Sequence, residues 1–257
     1  MAKSVAVSVS GKGGVGKTAI TSLLLRALVK NGRGSILAVD ADPATNLPET
    51  LGVKVDRTVG MVANELRSRI AKGDLPPGAA KKDMLEAGVF GAIVEGERFD
   101  LLAMGRTEGE GCYCYVNSLL TEILDTISSN YEIVLMDMEA GLEHLSRRTD
   151  RDLETLLIVT DPSKMGLNTA RRIKELADEV HIKIARALLV GNAFPAEMED
   201  ELREYASRIN VEYCGTIPYD PEIAKYNIRG IPLLELPDTS QAARKVEEMA
   251  VRMGLFT

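Results

Sequence analysis

The chain has 257 residues, 45% of them hydrophobic, which is ample for a core; with no Trp and only four Phe, that core must be built from Val, Ile, Leu, Ala and Met. Acidic residues outnumber basic ones, 38 to 31, so a net charge of −7 repels nucleic acid and anionic lipid and argues against either as a partner. No stretch approaches the roughly 20 apolar residues of a membrane helix, and Ser8, Ser10 and Lys12 break up the N-terminal apolar run, so a cytoplasmic protein is expected.

Val5 to Val9 reads as a strand, and Ala19 to Val29 places Leu23, Leu24, Ala27 and Leu28 at helical spacing. Between them stands Gly11-Lys12-Gly13-Gly14-Val15-Gly16-Lys17-Thr18, and a glycine-rich turn between strand and helix is the setting of a phosphate-binding loop. Gly13, Gly14 and Gly16 let successive N–H groups converge with no side chain in the way. The helix that begins near Lys17 adds its positive end, Lys17 a charge for the outer phosphates, and Thr18 a hydroxyl for Mg²⁺.

Ser35 to Val39 reads as a buried parallel strand that delivers the carboxylates of Asp40-Ala41-Asp42-Pro43 to the same edge as the glycine loop, with Asp42-Pro43 making a turn. Val59 to Lys72 keeps a 3.6 period through Val62, Ala63, Leu66 and Ile70 and is closed by Gly73 to Gly78. Met84 to Val94 is apolar without a clear period. Phe99 to Met104 is a strand leading to Cys112-Tyr113-Cys114. Val116 to Ile127 is then a helix, capped by Asn117 or Ser118, with both cysteines just outside it.

Ile133 to Met136 forms a strand ending at Asp137, and Thr155 to Thr160 another, after which Asp161-Pro162-Ser163 starts a helix running to about Val180. Ile184 to Val190 leads to Gly191-Asn192-Ala193-Phe194. Glu197 to Ile209 is a helix, Val211 to Ile217 a last strand ending in Pro218-Tyr219-Asp220, and Ser240 to Met253 a closing helix. This alternation predicts an α/β fold: one doubly wound, mainly parallel sheet with helices on both faces, in a single domain over 1–257.

Two cysteines one residue apart are too few for a closed tetrahedral Zn²⁺ site, which takes four ligands. A two-fold dimer supplies four if the loops meet at its axis. Soft thiolates suit Zn²⁺ or square-planar Ni²⁺. A redox pair, a reactive thiol or two small hydrophobes are the competing readings. Cys214, inside an apolar strand, reads as a buried hydrophobe, and His144 and His181 read as structural.

Taken in order, Gly11 to Thr18, Asp40 to Leu47, Cys112 with Cys114, and Asp137-Met138-Glu139-Ala140-Gly141-Leu142-Glu143-His144-Leu145 resemble the nickel-insertion ATPases of the CooC type. These serve carbon monoxide dehydrogenase and acetyl-CoA synthase and fall within the MinD and ParA group of deviant Walker A P-loop ATPases. The similarity spans nearly the whole chain; the first two motifs are shared by the wider group, and the cysteine pair with the Glu-His segment is narrower. The resemblance implies ATP hydrolysis. Lys12 matches a signature lysine that reaches the partner subunit's nucleotide, so a homodimer closing around ATP is implied.

In the same way Asp42 would orient the attacking water, with Lys12 and Lys17 stabilising charge on the transferring phosphoryl group. Asp40 and Asp137 would hold Mg²⁺ through water beside Thr18, and the N–H of Gly141 would sense the terminal phosphate. Asn192 would face the purine, and the backbone at Pro218 would form the other wall. A guanine reader would follow Asn192 with Lys-x-Asp; this chain has Ala193-Phe194-Pro195, which favours adenine. Cys112 and Cys114 of two subunits would bind Ni²⁺ or Zn²⁺ and help load nickel into the client. Nitrogenase iron protein, a member of the wider group, also needs a cysteine after the Walker B segment, which Asp137 and the residues before it resemble, and none lies between Asp137 and Ile209. The alternative is a MinD- or ParA-like positioning ATPase without metal cargo. That role calls for a basic face or an amphipathic anchor, and the sequence offers neither clearly.

Overall fold

The computed structural model describes residues 4–75, 80–106, 122–139, 153–179 and 184–256. Seven strands form one sheet: β1 (Val5–Gly11), β2 (Ile36–Asp40), β3 (Asp100–Ala103), β4 (Ile133–Asp137), β5 (Leu153–Thr160), β6 (Ile184–Asn192) and β7 (Glu212–Ile217). Their order is β3-β2-β4-β1-β5-β6-β7, and every pairing in it is parallel.

A sheet covered on both faces asks for strands that are largely apolar, and the middles of these strands are. Leu37, Val39, Val134, Met136, Leu156 and Ile158 face one core; Ile36, Ala38, Ile133, Leu135, Leu157 and Val159 face the other. The first core is covered by α3 (Val59–Lys72), α4 (Lys81–Phe90), the helical residues 122–128 (α5), α6 (Lys164–Glu179) and α7 (Glu199–Arg208). The second is covered by α1 (Lys17–Lys30), α2 (Leu47–Leu51) and α9 (Gln241–Arg252). The central strand β1 departs from the apolar rule: Val7 and Val9 are buried in the second core, and the intervening Ser8 and Ser10 are wholly buried too.

The structure adds two short helices that the periodicity did not announce, α2 and α8 (Pro221–Arg229). With five and nine residues, neither is long enough to display a repeat. Both nonetheless carry Pro in the first turn and end on a left-handed glycine, Gly52 and Gly230, which are helix start and stop signals. The helix expected to open at Asp161 begins instead at Lys164. Ser163 Oγ accepts the Gly166 N–H at 3.0 Å and so caps it from outside. The stretch expected as one helix over Glu197 to Ile209 divides into a 3₁₀ turn, Ala196–Met198, and α7. Cys112, Cys114, Asn117, Ser118, Gly141, His144 and His181 lie outside the described residues.

This order winds outward from the middle. From β1 the chain passes to β2 and β3 on one side, and from β5 to β6 and β7 on the other. Such a reversal opens a crevice at the carboxyl ends of the central strands, and the loop after β1 sits in it.

Candidate functional site

The glycine loop owes its shape to close approaches that only glycine permits. A Cβ on Gly11 would lie 2.3 Å from the Val159 carbonyl oxygen of β5, and one on Gly16 would lie 2.3 Å from Asn192 Nδ2. Gly14 and Gly16 take left-handed backbone, φ 81° and 90°, open to a residue without Cβ. Gly16 caps α1 with no side-chain hydrogen bond, and the first turn carries no acid, so the positive helix end is left uncompensated. Lys17 is buried, and its Nζ donates to the Lys12 carbonyl at 3.3 Å. A cradle of this form, lined by backbone N–H groups and one lysine, fits a polyphosphate.

Sheet register sets the acidic half of the site. Asp40 ends β2 directly beside Asp137, which ends β4, and both are fully buried. Thr18 Oγ1 donates to Asp137 Oδ2 at 2.6 Å, and Thr21 Oγ1 to Oδ1 at 3.4 Å. The Asp40 oxygens accept the N–H groups of Asp42 (3.1 Å) and Leu47 (2.9 Å). Burial pushes Asp137 up to about 6 although Thr18 and Lys17 oppose it. It pushes Asp40 up to about 7 against its two backbone donors. Two desolvated carboxylates beside a threonine hydroxyl form a hard-oxygen set of the kind Mg²⁺ takes.

Asp42 lies above this pair in a tight turn, where its Oδ1 accepts the Ala44 N–H at 2.8 Å. The turn holds Thr45 at φ 54°, a strained conformation for a β-branched residue. Lys12 Nζ lies 3.4 Å from Asp161 Oδ2, and each side chain is about one-third exposed, 32% and 31%. Burial works against the Asp161 charge, but the Ser163 hydroxyl and the Lys12 ammonium outweigh it and hold its carboxyl below the usual range. Half-exposed pairs of this kind contribute about 0–1 kcal/mol, so Lys12 is cheaply released. At the far side, Asn192 ends β6 paired with Ile217 of β7, and the half-buried Pro218 follows.

The fold thus brings Gly11 to Thr18, Asp40, Asp42, Asp137, Asn192 and Pro218 to one edge of the sheet. Two contributors were not singled out from the sequence, Thr21 and Asp161. Signals for both exist: Thr21 stands one helical turn after Thr18, and Asp161 follows an apolar strand much as Asp137 ends one. Among the described residues no group of three or more His, Cys, Asp or Glu could hold a metal ion, and no helix is long and apolar enough to cross a membrane. Cys214 is free and buried under α9, and burial pushes its thiol up to about 11.

Comparison with known proteins meets this geometry. Residues 6–233 match the CobQ/CobB/MinD/ParA nucleotide binding domain. An uncharacterized ATP-binding protein of Methanocaldococcus jannaschii is 48% identical, over 96% of this chain and 97% of that one. The carbon monoxide dehydrogenase accessory protein CooC of Rhodospirillum rubrum is 32% identical, over 90% of this chain and 89% of that one. Among solved structures, a ParA family ATPase from Chlorobium tepidum superposes with a TM-score of 0.71 at 22% identity, covering 97% of this chain and 98% of that one.

Proposed function

The chain belongs to the CobQ/CobB/MinD/ParA nucleotide-binding family and is an ATPase, and from that premise we propose that it is a dimerising metallochaperone that assists nickel insertion into the cluster of a carbon monoxide dehydrogenase or acetyl-CoA synthase. The observation that carries this reading is the 32% identity to a carbon monoxide dehydrogenase accessory protein along nearly the whole chain. Lys12 and the Cys112-x-Cys114 pair support it.

ATP lies along Gly11 to Thr18, with its base between Asn192 and Pro218. Lys17, and Lys12 of a second copy, offset charge on the transferring phosphoryl group. Asp42 orients the attacking water, and the Gly141 N–H senses the terminal phosphate. Mg²⁺, when bound, neutralises phosphate oxygens; Thr18 would hold it directly, with Asp40 and Asp137 acting through water. Phosphoryl transfer asks little covalent help, so positioning and electrostatics supply the catalysis.

Because the Lys12–Asp161 contact is weak, Lys12 can leave it for a second copy at little cost. Closure of the dimer changes the distance between the two cysteine pairs. Nucleotide state and metal affinity are thereby coupled, since a ligand shifts an equilibrium by its differential affinity for the two states. The whole of 1–257 acts as one cytoplasmic domain in this reading.

Gel filtration during a Ni²⁺ and Zn²⁺ titration, with and without ATP, tests it, together with the nickel content of a client enzyme produced with and without this protein. Metal-promoted dimers and a nickel-poor client in its absence are expected. Metal-indifferent assembly and a fully loaded client would favour the second reading, a nucleotide-switched positioning ATPase of the MinD or ParA type. The family and the shared ParA fold make that second reading concrete.

A further inference from the structure

Asn192 does more in this fold than line a base pocket. Its Nδ2 donates to the Val15 carbonyl oxygen at 2.8 Å, across 177 residues of sequence. A carbonyl only accepts, so the amide nitrogen must face it. The same nitrogen lies against Gly16, where an added Cβ would come within 2.3 Å. Asn192 therefore touches the loop at the two residues that precede Lys17, where the backbone turns into α1.

The backbone around Asn192 is built to fix that aim. Asn192 is paired in register with Ile217 of β7, and the next residue, Ala193, is held left-handed at φ 49°. A non-glycine residue persists there only when its surroundings over-determine it. They do: the Phe194 N–H donates to the Ile217 carbonyl at 3.1 Å, and the buried Phe194 ring fills space that Gly191 leaves open, where a Cβ would lie 2.7 Å from the ring.

From these contacts we infer that Asn192 is a positioning residue for the phosphate loop, holding Val15 and Gly16 so that the loop's N–H groups are set before any nucleotide arrives. The inference deepens the proposed ATP site and rests on the loop being the phosphate cradle. It says that Asn192 acts on every polyphosphate, with or without a base.

The test uses the full chain and its Asn192→Ala and Asn192→Asp variants. Affinities for ATP and inorganic tripolyphosphate are measured by calorimetry, and amide hydrogen exchange over residues 12–17 is followed without nucleotide. Losing one hydrogen bond is expected to weaken tripolyphosphate roughly three- to tenfold in Asn192→Ala, and ATP by at least that factor. The loss should be larger in Asn192→Asp, whose carboxylate opposes the Val15 carbonyl. Exchange over 12–17 should quicken. A variant that loses ATP affinity but keeps tripolyphosphate affinity would make Asn192 a base reader alone and overturn the inference. Unchanged loop exchange would overturn it as well. A wild-type chain that binds neither ATP nor tripolyphosphate would bring down the nucleotide reading of the loop, and the exchange measurement would still decide for or against Asn192.

Discussion

Asp40 and Asp137, removed from water side by side, govern how this edge responds to pH. Their folded pKa values, about 7 and about 6, lie above the ordinary 3.8. Between those limits the folded chain binds more protons than the unfolded one, so stability falls as pH rises through the window, and the full penalty is present above it. For Asp137 that penalty is on the order of 3 kcal/mol. The thermal midpoint of protein free of Mg²⁺ and nucleotide is therefore expected to drop between pH 5 and 7.5, and Asp137→Asn should flatten the drop; an equally steep profile in the variant would show that other groups set it. In the proposed mechanism Asp42 takes part in the chemistry itself. Asp42→Asn should retain ATP binding within about threefold while hydrolysis slows by about a hundredfold or more. Unaltered turnover would remove Asp42 from the mechanism. Most of these residues stand out in the sequence because glycine spacing and strand-terminal acids are local patterns. Thr21 and Asp161 carry weaker signals, a helical spacing and a position after a strand, and their contacts become definite only where α1 meets β4 and where β5 ends beside the loop.

At the level of elements, the long helices and buried strands were legible because each repeats its pattern over several turns or pleats. Val59–Lys72 is the clearest case: Thr58 accepts the Met61 N–H at its start, and left-handed Gly73 ends it. The helices α2 and α8 were not, because their stability comes from caps and neighbours rather than from periodicity. Asp220 shows how. One carboxylate oxygen accepts the Glu222 N–H and caps α8, while the other accepts the Ser240 hydroxyl at 2.7 Å and the Ala242 N–H at 3.2 Å. Ser240 in turn caps α9 by accepting the Ala243 N–H at 3.1 Å. The buried pair thus fastens two helices and the end of β7 together. Ser240→Ala is expected to cost about 1–2 kcal/mol in denaturant unfolding, since it removes a cap and leaves a buried carboxylate short of a donor. A change below about 0.3 kcal/mol would mean that the caps act independently of Ser240.

For the whole molecule, the strand order is what turns scattered motifs into one site. Asp40 and Asp137 are 97 residues apart in sequence and adjacent in the sheet; Asn192 and Val15 are 177 apart and share a hydrogen bond. The proposed function at this scale depends on a second copy. With Cys112→Ser and Cys114→Ser combined, ATP binding should be intact and metal-dependent dimerisation lost, read by light scattering with added Ni²⁺ or Zn²⁺. Undiminished metal stoichiometry in that variant would rule out the thiolate site. The exposed Met165, in the first turn of α6, and Tyr219, on the loop after β7, 69% each, follow strands β5 and β7 at the edge proposed for the nucleotide, where a closing partner would cover them.

The sequence by itself determined the α/β class, the phosphate loop and the strand-terminal acids. Each of these is a short-range pattern whose chemistry is complete within a few residues. The tertiary structure alone decided which acids stand together, that Asp40 spends both oxygens on the backbone of the following turn, that Lys12 rests on Asp161, and that Asn192 braces the loop. Those facts depend on strand order and register, which bring residues together only after the chain has crossed the sheet, and no local pattern records them.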